Sequence, residues 1–232
     1  MKSKISFIAF ALFIAFAILL SFKTSVLSCD GYYPVNVGTK FQVTTYDKKN
    51  TAINISNAEV IKTTAQGVLV HIISKDAKGK EMLNTDFDVI CDGNSIIQDQ
   101  KKLITKQVTA KMTDPSVQAD VSGNNPVTPN QLTVGQTLPD NEIVISIKAG
   151  TMNMNMNFKT YNRKVIGQES VTVPAGTFDC MVVTSNSDHK LMINSKNTTK
   201  TWIAKGVGLV KQETYTTSGK LEKTELLTAF SK

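Results

Sequence analysis

Beyond residue 38, apolar side chains recur at every second position, as in Phe41 and Val43 ahead of Thr45, or Val68, Val70 and Ile72. A period of two places such residues on one face of an extended chain, whereas a helix needs a period near 3.6. Polar turn clusters separate these runs at hairpin-like spacing: Asp47-Lys48-Lys49-Asn50, Ala77-Lys78-Gly79-Lys80, Asp92-Gly93-Asn94 and Ser218-Gly219-Lys220. The pattern predicts strands over 39–46, 52–64, 67–75, 80–91, 94–98, 142–148, 153–166, 169–173, 177–187, 190–204, 208–217 and 220–230. Only Lys101 to Met112 has helical composition, with Leu103, Ile104, Gln107 and Lys111 near one face, and it predicts one short helix. Asp114 to Pro129 carries Pro115, Pro126, Pro129 and Gly123 among polar residues. That stretch, about 113–133, reads as a polar loop joining two halves or as a lid over a cavity. A meander of so many strands accumulates twist, so a mainly β fold is expected, an antiparallel curved sheet or partly closed barrel. No repeat of fixed period points to a propeller or solenoid.

The first residues break this alternation. Lys2 and Lys4 precede an apolar run from Ile5 to Phe22, interrupted only by Ser6 and Ser21, and Val26-Leu27-Ser28 lead into Cys29. This is the layout of an export signal over 1–28, followed by a single β domain over 29–232. The run is long for a signal core, so an uncleaved anchor is the alternative. Both place the remainder outside the cytoplasm, in the periplasm or associated with the outer membrane. Val-Leu-Ser-Cys also loosely matches a lipobox, in which Cys29 would be acylated and would tether the protein to a membrane. Membrane contact is therefore expected only through a lipid anchor or an uncleaved signal.

Charge changes the picture little. Three of the seven formal net positive charges are Lys2, Lys4 and Lys23, in the leader. The remaining lysines are scattered, without the basic stripe interleaved with aromatics that nucleic-acid binding requires, so no nucleic-acid partner is expected. The three cysteines, Cys29, Cys91 and Cys180, form no CxxC pair. One disulfide is permitted in an oxidising compartment, Cys29 with Cys91 or Cys91 with Cys180, and buried free thiols are the alternative.

The chain shows no signature of catalysis. His71 and His189 are isolated, and no HExxH, Gly-x-Ser-x-Gly elbow or phosphate loop occurs. Asp86 and Asp88 share a strand face on which solvent is the ordinary partner. We expect no enzyme, cofactor or metal site. The oddest local pattern is Met152, Met154 and Met156 alternating with Asn153, Asn155 and Asn157, which sends three thioethers to one face. Barrel core, an adaptable wall for a lipid-like ligand, and a Cu(I) site are the three readings of such a stripe. Trp202, the one tryptophan, sits before Gly206 and Gly208 and reads as a core anchor.

Several segments carry a resemblance: Cys29-Asp30-Gly31-Tyr32-Tyr33-Pro34 with Val37-Gly38-Thr39, Val134-Gly135-Gln136-Thr137-Leu138-Pro139-Asp140, and Asn162-Arg163-Lys164-Val165. Val173-Pro174-Ala175-Gly176-Thr177-Phe178-Asp179-Cys180 and Trp202-Ile203-Ala204 with Gly206-Val207-Gly208-Leu209-Val210-Lys211 complete the set. In this order they resemble the TapB-like family of exported Gram-negative envelope proteins, described as associated with a tetratricopeptide-repeat protein. The resemblance implies a secreted, mostly β, curved-sheet protein with no catalytic residues to carry over, and favours a structural Cys29. Two roles follow as expectations. The first is a non-enzymatic module that binds an envelope protein, such as a tetratricopeptide-repeat partner, through a sheet edge or the 113–133 loop. The second is a carrier or sensor of an apolar ligand, held in a half-barrel lined by Met152, Met154, Met156 and Trp202.

Overall fold

The structure, a computed structural model, describes residues 30–110, 117–190 and 194–232. The expected signal at 1–28 and Cys29 lie outside the described residues. Among the described residues thirteen strands form one antiparallel sheet. The first five are β1 (Lys40–Asp47), β2 (Ala52–Thr64), β3 (Gly67–Asp76), β4 (Glu81–Cys91) and β5 (Ser95–Gln98). The helix α1 (Gln100–Ala110) follows, then β6 (Val117–Gly123), β7 (Val127–Pro129), β8 (Asn141–Ala149) and the long β9 (Met152–Val173). The last four are β10 (Gly176–Lys190), β11 (Ser195–Ala204), β12 (Gly208–Thr216) and β13 (Leu221–Ser231). Their spatial order is β6-β8-β9-β10-β11-β12-β13-β1-β2-β3-β4-β5-β7. The mainly β, curved antiparallel sheet with one short helix is the architecture the alternation predicts, and it is not closed into a barrel.

Two sequence expectations change. The breaker-rich stretch contains β6 and β7, and these are the two outermost strands of the sheet. Its prolines fit: Pro126 stands outside both strands, and Pro129 ends β7 at the sheet's margin, where a missing N–H costs nothing. The strands expected at 153–166 and 169–173 are one strand. Gly167 does not end it, because a bulge opposite Val182/Val183 absorbs the irregular residue while the ladder continues. The helix lies where its composition places it, with Lys111 and Met112 outside the described residues.

The two halves of the chain are joined by main-chain ladders, since β13 pairs with β1 from Lys40↔Ser231 to Asp47↔Lys223. At the other extreme α1 lies against both β4 and β6 and so spans the gap between the sheet's margins. Lys102 Nζ bonds Asp88, and Lys106 Nζ donates to the Asp86 carbonyl at 2.9 Å, tying the helix to β4. Arg163 on β9 reaches over to the β7 side, donating to the carbonyls of Val127 at 3.0 Å and Pro139 at 2.7 Å.

Among the described residues three apolar clusters hold the sheet. One contains Val60, Val70, Phe87, Val89, Cys91 and Ile96, with Tyr33 and Leu103 packed over them. A second gathers Trp202, Cys180, Val182, Val210 and Leu227 beneath the end of the β9–β10 hairpin, where the Ala175 amide reaches the Leu227 carbonyl at 3.3 Å. A third joins Leu138 to Val165, Met181 and Val183.

Candidate functional site

The inner face of the curled sheet follows from the registers. On β10 the residues Val183, Ser185, Ser187 and His189 alternate, and on β11 Asn197, Thr199, Thr201 and Ile203 do the same. These two rows face one another across the ladder and form the floor of a cavity of about 630 Å³. The far wall comes from Gln98, Gln100, Pro126 and Thr128, at the opposite margin of the sheet, so the cavity is the space around which the sheet curls. That volume is within the ordinary range of small-molecule sites.

Its chemistry is polar. Ser185, Ser187 and Thr214 are each less than a tenth exposed, and buried hydroxyls need partners. Ser185 Oγ and Thr199 Oγ1 lie 2.7 Å apart, and Thr201 Oγ1 donates to Gln212 Oε1 at 3.0 Å. Arg163, His189 and Lys223 also line the space, and no carboxylate does. Glu225 forms an ion pair with Lys223 at 3.3 Å, and Asp140 acts on Arg163 only through its field. The Arg163 guanidinium meets two neutral carbonyls, and burial draws its pKa below the ordinary value despite Asp140. His189 packs against Phe158 at 5.5 Å; burial, then the Lys223 charge, lowers its pKa and favours the neutral ring.

The four residues first considered as a ligand wall are not brought together. Trp202 stands between Thr201 and Ile203 on β11 and therefore points away from the cavity they line. It is buried, as expected of an anchor, and its Nε1 donates to Glu169 Oε2 at 2.7 Å. Lys200 and Lys211 lie over its ring at 4.5 and 4.7 Å. Met152, Met154 and Met156 do share one face of β9, opposite Ala149, Ile147 and Ile145. They are not core: Met152 is 70% and Met154 38% exposed, and none of the three lines the cavity. The stripe is nevertheless on the cavity's side of the sheet, because Thr160, two residues beyond Phe158 in the same alternation, lines it.

Of the cysteines, Cys180 is a free thiol, buried and pushed up to about 11 by burial and then by Asp179 and Glu169. The bridge from Cys91 to Cys180 is therefore not made. Cys91 is buried on β4 opposite Ile96. His71 and Asp86 are paired at 2.7 Å on the outer face of the sheet, beside a shallow depression of about 310 Å³ that also touches Phe41 and Phe230. Among the described residues no cluster of three or more His, Cys, Asp or Glu could hold a metal ion, and no helix is long and apolar enough to cross a membrane.

The motif segments have mechanical roles. Gly135, Gln136 and Leu138 exchange backbone bonds with Arg163 and Val165, so two of the motifs form a single clasp. The Gly206 amide donates to the Gly31 carbonyl at 2.8 Å, and Lys205 pairs with Asp30 at 3.1 Å, docking the Asp30–Pro34 segment against the β11–β12 turn. A Cβ at Gly31 would stand 2.5 Å from Asn130 Oδ1 and 2.6 Å from Ile96 Cγ1, which accounts for glycine there. Residues 36–227 match the DUF3108-like family model, which is most of the chain. The chain belongs to the DUF3108-like family. The motif resemblance to TapB-like proteins remains a resemblance. Two solved structures share the DUF3108-like chain's fold. One is a protein of Bacteroides fragilis NCTC 9343 inferred to be exported, with a YmcC-like fold, at TM-score 0.70 and 19% identity, covering 88% of this chain and 100% of its own. The other, from Parabacteroides distasonis ATCC 8503 and inferred to be a lipoprotein, has TM-score 0.68 and 22% identity with the same coverage. No curated protein matches the chain significantly.

The cavity residues Arg163, Lys223, Ser185 and Thr199 were missed as a site from sequence. The available signal was small hydroxyl and amide residues at period two on two successive strands, 185–189 and 197–201.

Proposed function

We propose that this DUF3108-like protein is an exported, non-enzymatic binding protein that takes up a small ligand inside its curled sheet. The observation that carries the reading is the polar cavity, lined from both margins of the sheet. Export is supported by the leader pattern and by the descriptions of the two structural neighbours. An envelope protein partner, a tetratricopeptide-repeat protein included, is the second role, and strand addition is its simplest route. The placement of α1 against both β4 and β6 weighs against that route, because a helix over a strand edge blocks it. The cavity's polar lining likewise replaces the all-apolar pocket of the sequence expectation as the ligand's main contact.

The test is native mass spectrometry of the protein taken from its own envelope without detergent, alongside a Ser185→Phe, Thr199→Phe variant that fills the floor. A small-molecule adduct carried by the parent and lost from the variant supports uptake. A bare parent, or an adduct unchanged by the filling, overturns it, and a co-purifying protein on a bare cavity promotes the partner role.

The same spectra address Cys29. Gly31 packs on Ile96, and Ile96 is the ladder partner of Cys91. The chain entering at Asp30 is thus close to the Cys91 side chain, and a Cys29–Cys91 disulfide is the reading this favours over acylation. A denatured mass short of two hydrogens supports it; a diacylglycerol-sized increment refutes it.

A further inference from the structure

The inner face is chemically graded. Thr160, Asn141 and Ser187 mark the polar cavity. One ladder step further, His189, Phe158 and Ile143 stand in a row. Past that row the same face carries only apolar side chains, Val121, Ile145, Ile147, Met156, Met154 and Met152, across β6, β8 and β9. The register is unbroken from Asn141↔Thr160 to Ala149↔Met152. On β8 Ile143 and Ile145 are buried, whereas along β9 Thr160, Phe158 and Met156 are half-buried and Met154 and Met152 are exposed, so the strip leaves the cavity along β9. Large apolar side chains left in water at the end of a strand mark a surface that is covered in use. Methionine suits such a surface when the occupant is a flexible chain, since its unbranched thioether adapts to shape. The strip from Thr160 to Met152 is roughly 27 Å long at about 3.4 Å per residue, longer than the roughly 15 Å that an acyl chain spans in one leaflet of a bilayer core.

We propose that the ligand is a single-chain anionic amphiphile, its acidic head in the cavity beside Arg163 and Lys223 and its hydrocarbon chain along the methionine strip. This rests on the uptake reading above and adds the chemistry of the occupant. The charge argument is that Arg163, which meets only neutral carbonyls, and Lys223 line the head site, while the nearest carboxylate, Glu225, pairs with Lys223 from outside that lining, so an anion is the complementary head. The hydroxyls of Ser187, Thr199 and Thr214 supply neutral donors for the remaining head oxygens. Phe158, Met156, Met154 and Met152 then give the chain an apolar track along β9 that the hydroxyl floor cannot.

The experiment measures binding of three probes below their micellar concentrations: a palmitoyl lysophosphatidylglycerol, the zwitterionic lysophosphatidylcholine with the same chain, and glycerol phosphate, the head alone. The anionic lysolipid should bind about tenfold or more tighter than either comparator, which is the loss of one good contact. Lys223→Gln should erase the preference over the zwitterionic lipid. Met152→Asp with Met154→Asp, at exposed positions tolerant of polar residues, should weaken the lysolipid to the level of the head alone. Equal affinity for the two lysolipids overturns the anionic head. Unchanged lysolipid affinity in the methionine variant overturns the strip. Binding of a neutral polar ligand, sensitive to the Ser185→Phe, Thr199→Phe filling, with no lysolipid binding, overturns this proposal and leaves uptake standing. Failure of every probe together with a bare envelope-derived protein overturns both.

Discussion

The first and last strands of the sheet bend around a common interior but fill it differently. On β2 to β5 the inner residues are Val60, Val70, Phe87, Val89 and Ile96, close-packed under Tyr33 and Leu103. On β10 to β12 the inner residues are Ser185, Ser187, Thr199, Thr201 and Thr214, and the corresponding volume is open. There an apolar core lies on the other face as well, where Trp202, Val182 and Cys180 are buried, while Met181 and Val183 pack with Leu138 and Val165 on the inner side. The early strands fill their inner side with apolar groups; the later ones do so only under Leu138 and leave hydroxyl rows facing the cavity beyond it.

This contrast can be broken where it is strongest. Ile96→Ala removes a side chain that is 2% exposed at the centre of the first cluster and against Gly31. It should cost about 2–5 kcal/mol in urea unfolding. Trp202→Phe keeps most of the apolar volume of the second cluster but leaves Glu169 without its indole donor. We expect a loss of about 1–3 kcal/mol, and a raised Glu169 pKa by NMR titration. The double substitution Ser185→Ala, Thr199→Val removes both members of a hydroxyl pair from the cavity floor. It should change stability by less than about 1 kcal/mol while reducing ligand retention. A floor variant as costly as Ile96→Ala would make the hydroxyl rows structural and end the comparison.

Acid sharpens it more gently. Glu169, held down first by the Trp202 bond, and Asp188, held down first by Lys196, both titrate below the ordinary carboxylate value. In Glu213 burial works upward, but Lys211 and Tyr215 outweigh it and the pKa is again lowered. A carboxylate depressed in the folded state stabilises fully above its unfolded value of about 4 and loses that contribution as pH falls through the folded value. All three belong to β9–β12; Asp47, at the end of β1, is lowered first by its bond from the Thr51 backbone. Hydrogen exchange should therefore show amides of β9–β12 losing protection before those of β2–β4 as pH drops from 5 to 3. At the alkaline end, Tyr215 is raised to about 12, mainly by its bond to Glu213. Its contribution is complete below the ordinary tyrosine value of about 10 and fades as pH rises through the folded value.

The strands were legible because alternation is a local property. Val68, Val70 and Ile72 announce an extended half-buried segment, whatever they pack against. The joining of the two halves was not, because β1 and β13 meet across nearly the whole chain and no local residue records the pairing. The margins at β6 and β7 were hidden for a different reason: Pro126, Pro129 and Gly123 are the residues of a loop and equally of short outermost strands. Trp202 was put on the wrong side because an aromatic attracts attention by type, while facing is decided by parity along each strand. Trp202 and Thr201 are neighbours in sequence and lie on opposite sides of the sheet. Serine and threonine at every second position look like solvent-facing strand until the curl turns that face inward.

The β1–β13 ladder also sets an order of events. Thr44 and Thr228, 184 residues apart, have hydroxyls 2.9 Å from each other, and Thr228 also bonds Gln42. A chain made from its amino end has β1 exposed on one side until β13 emerges, at roughly 5 to 20 residues per second. For those seconds Phe41 and Val43 lack the partners that bury them, and closing so long a loop is slow once all the strands are present. The nascent protein thus carries an open β1 edge for that time, and the last hairpin acts as the latch that closes it.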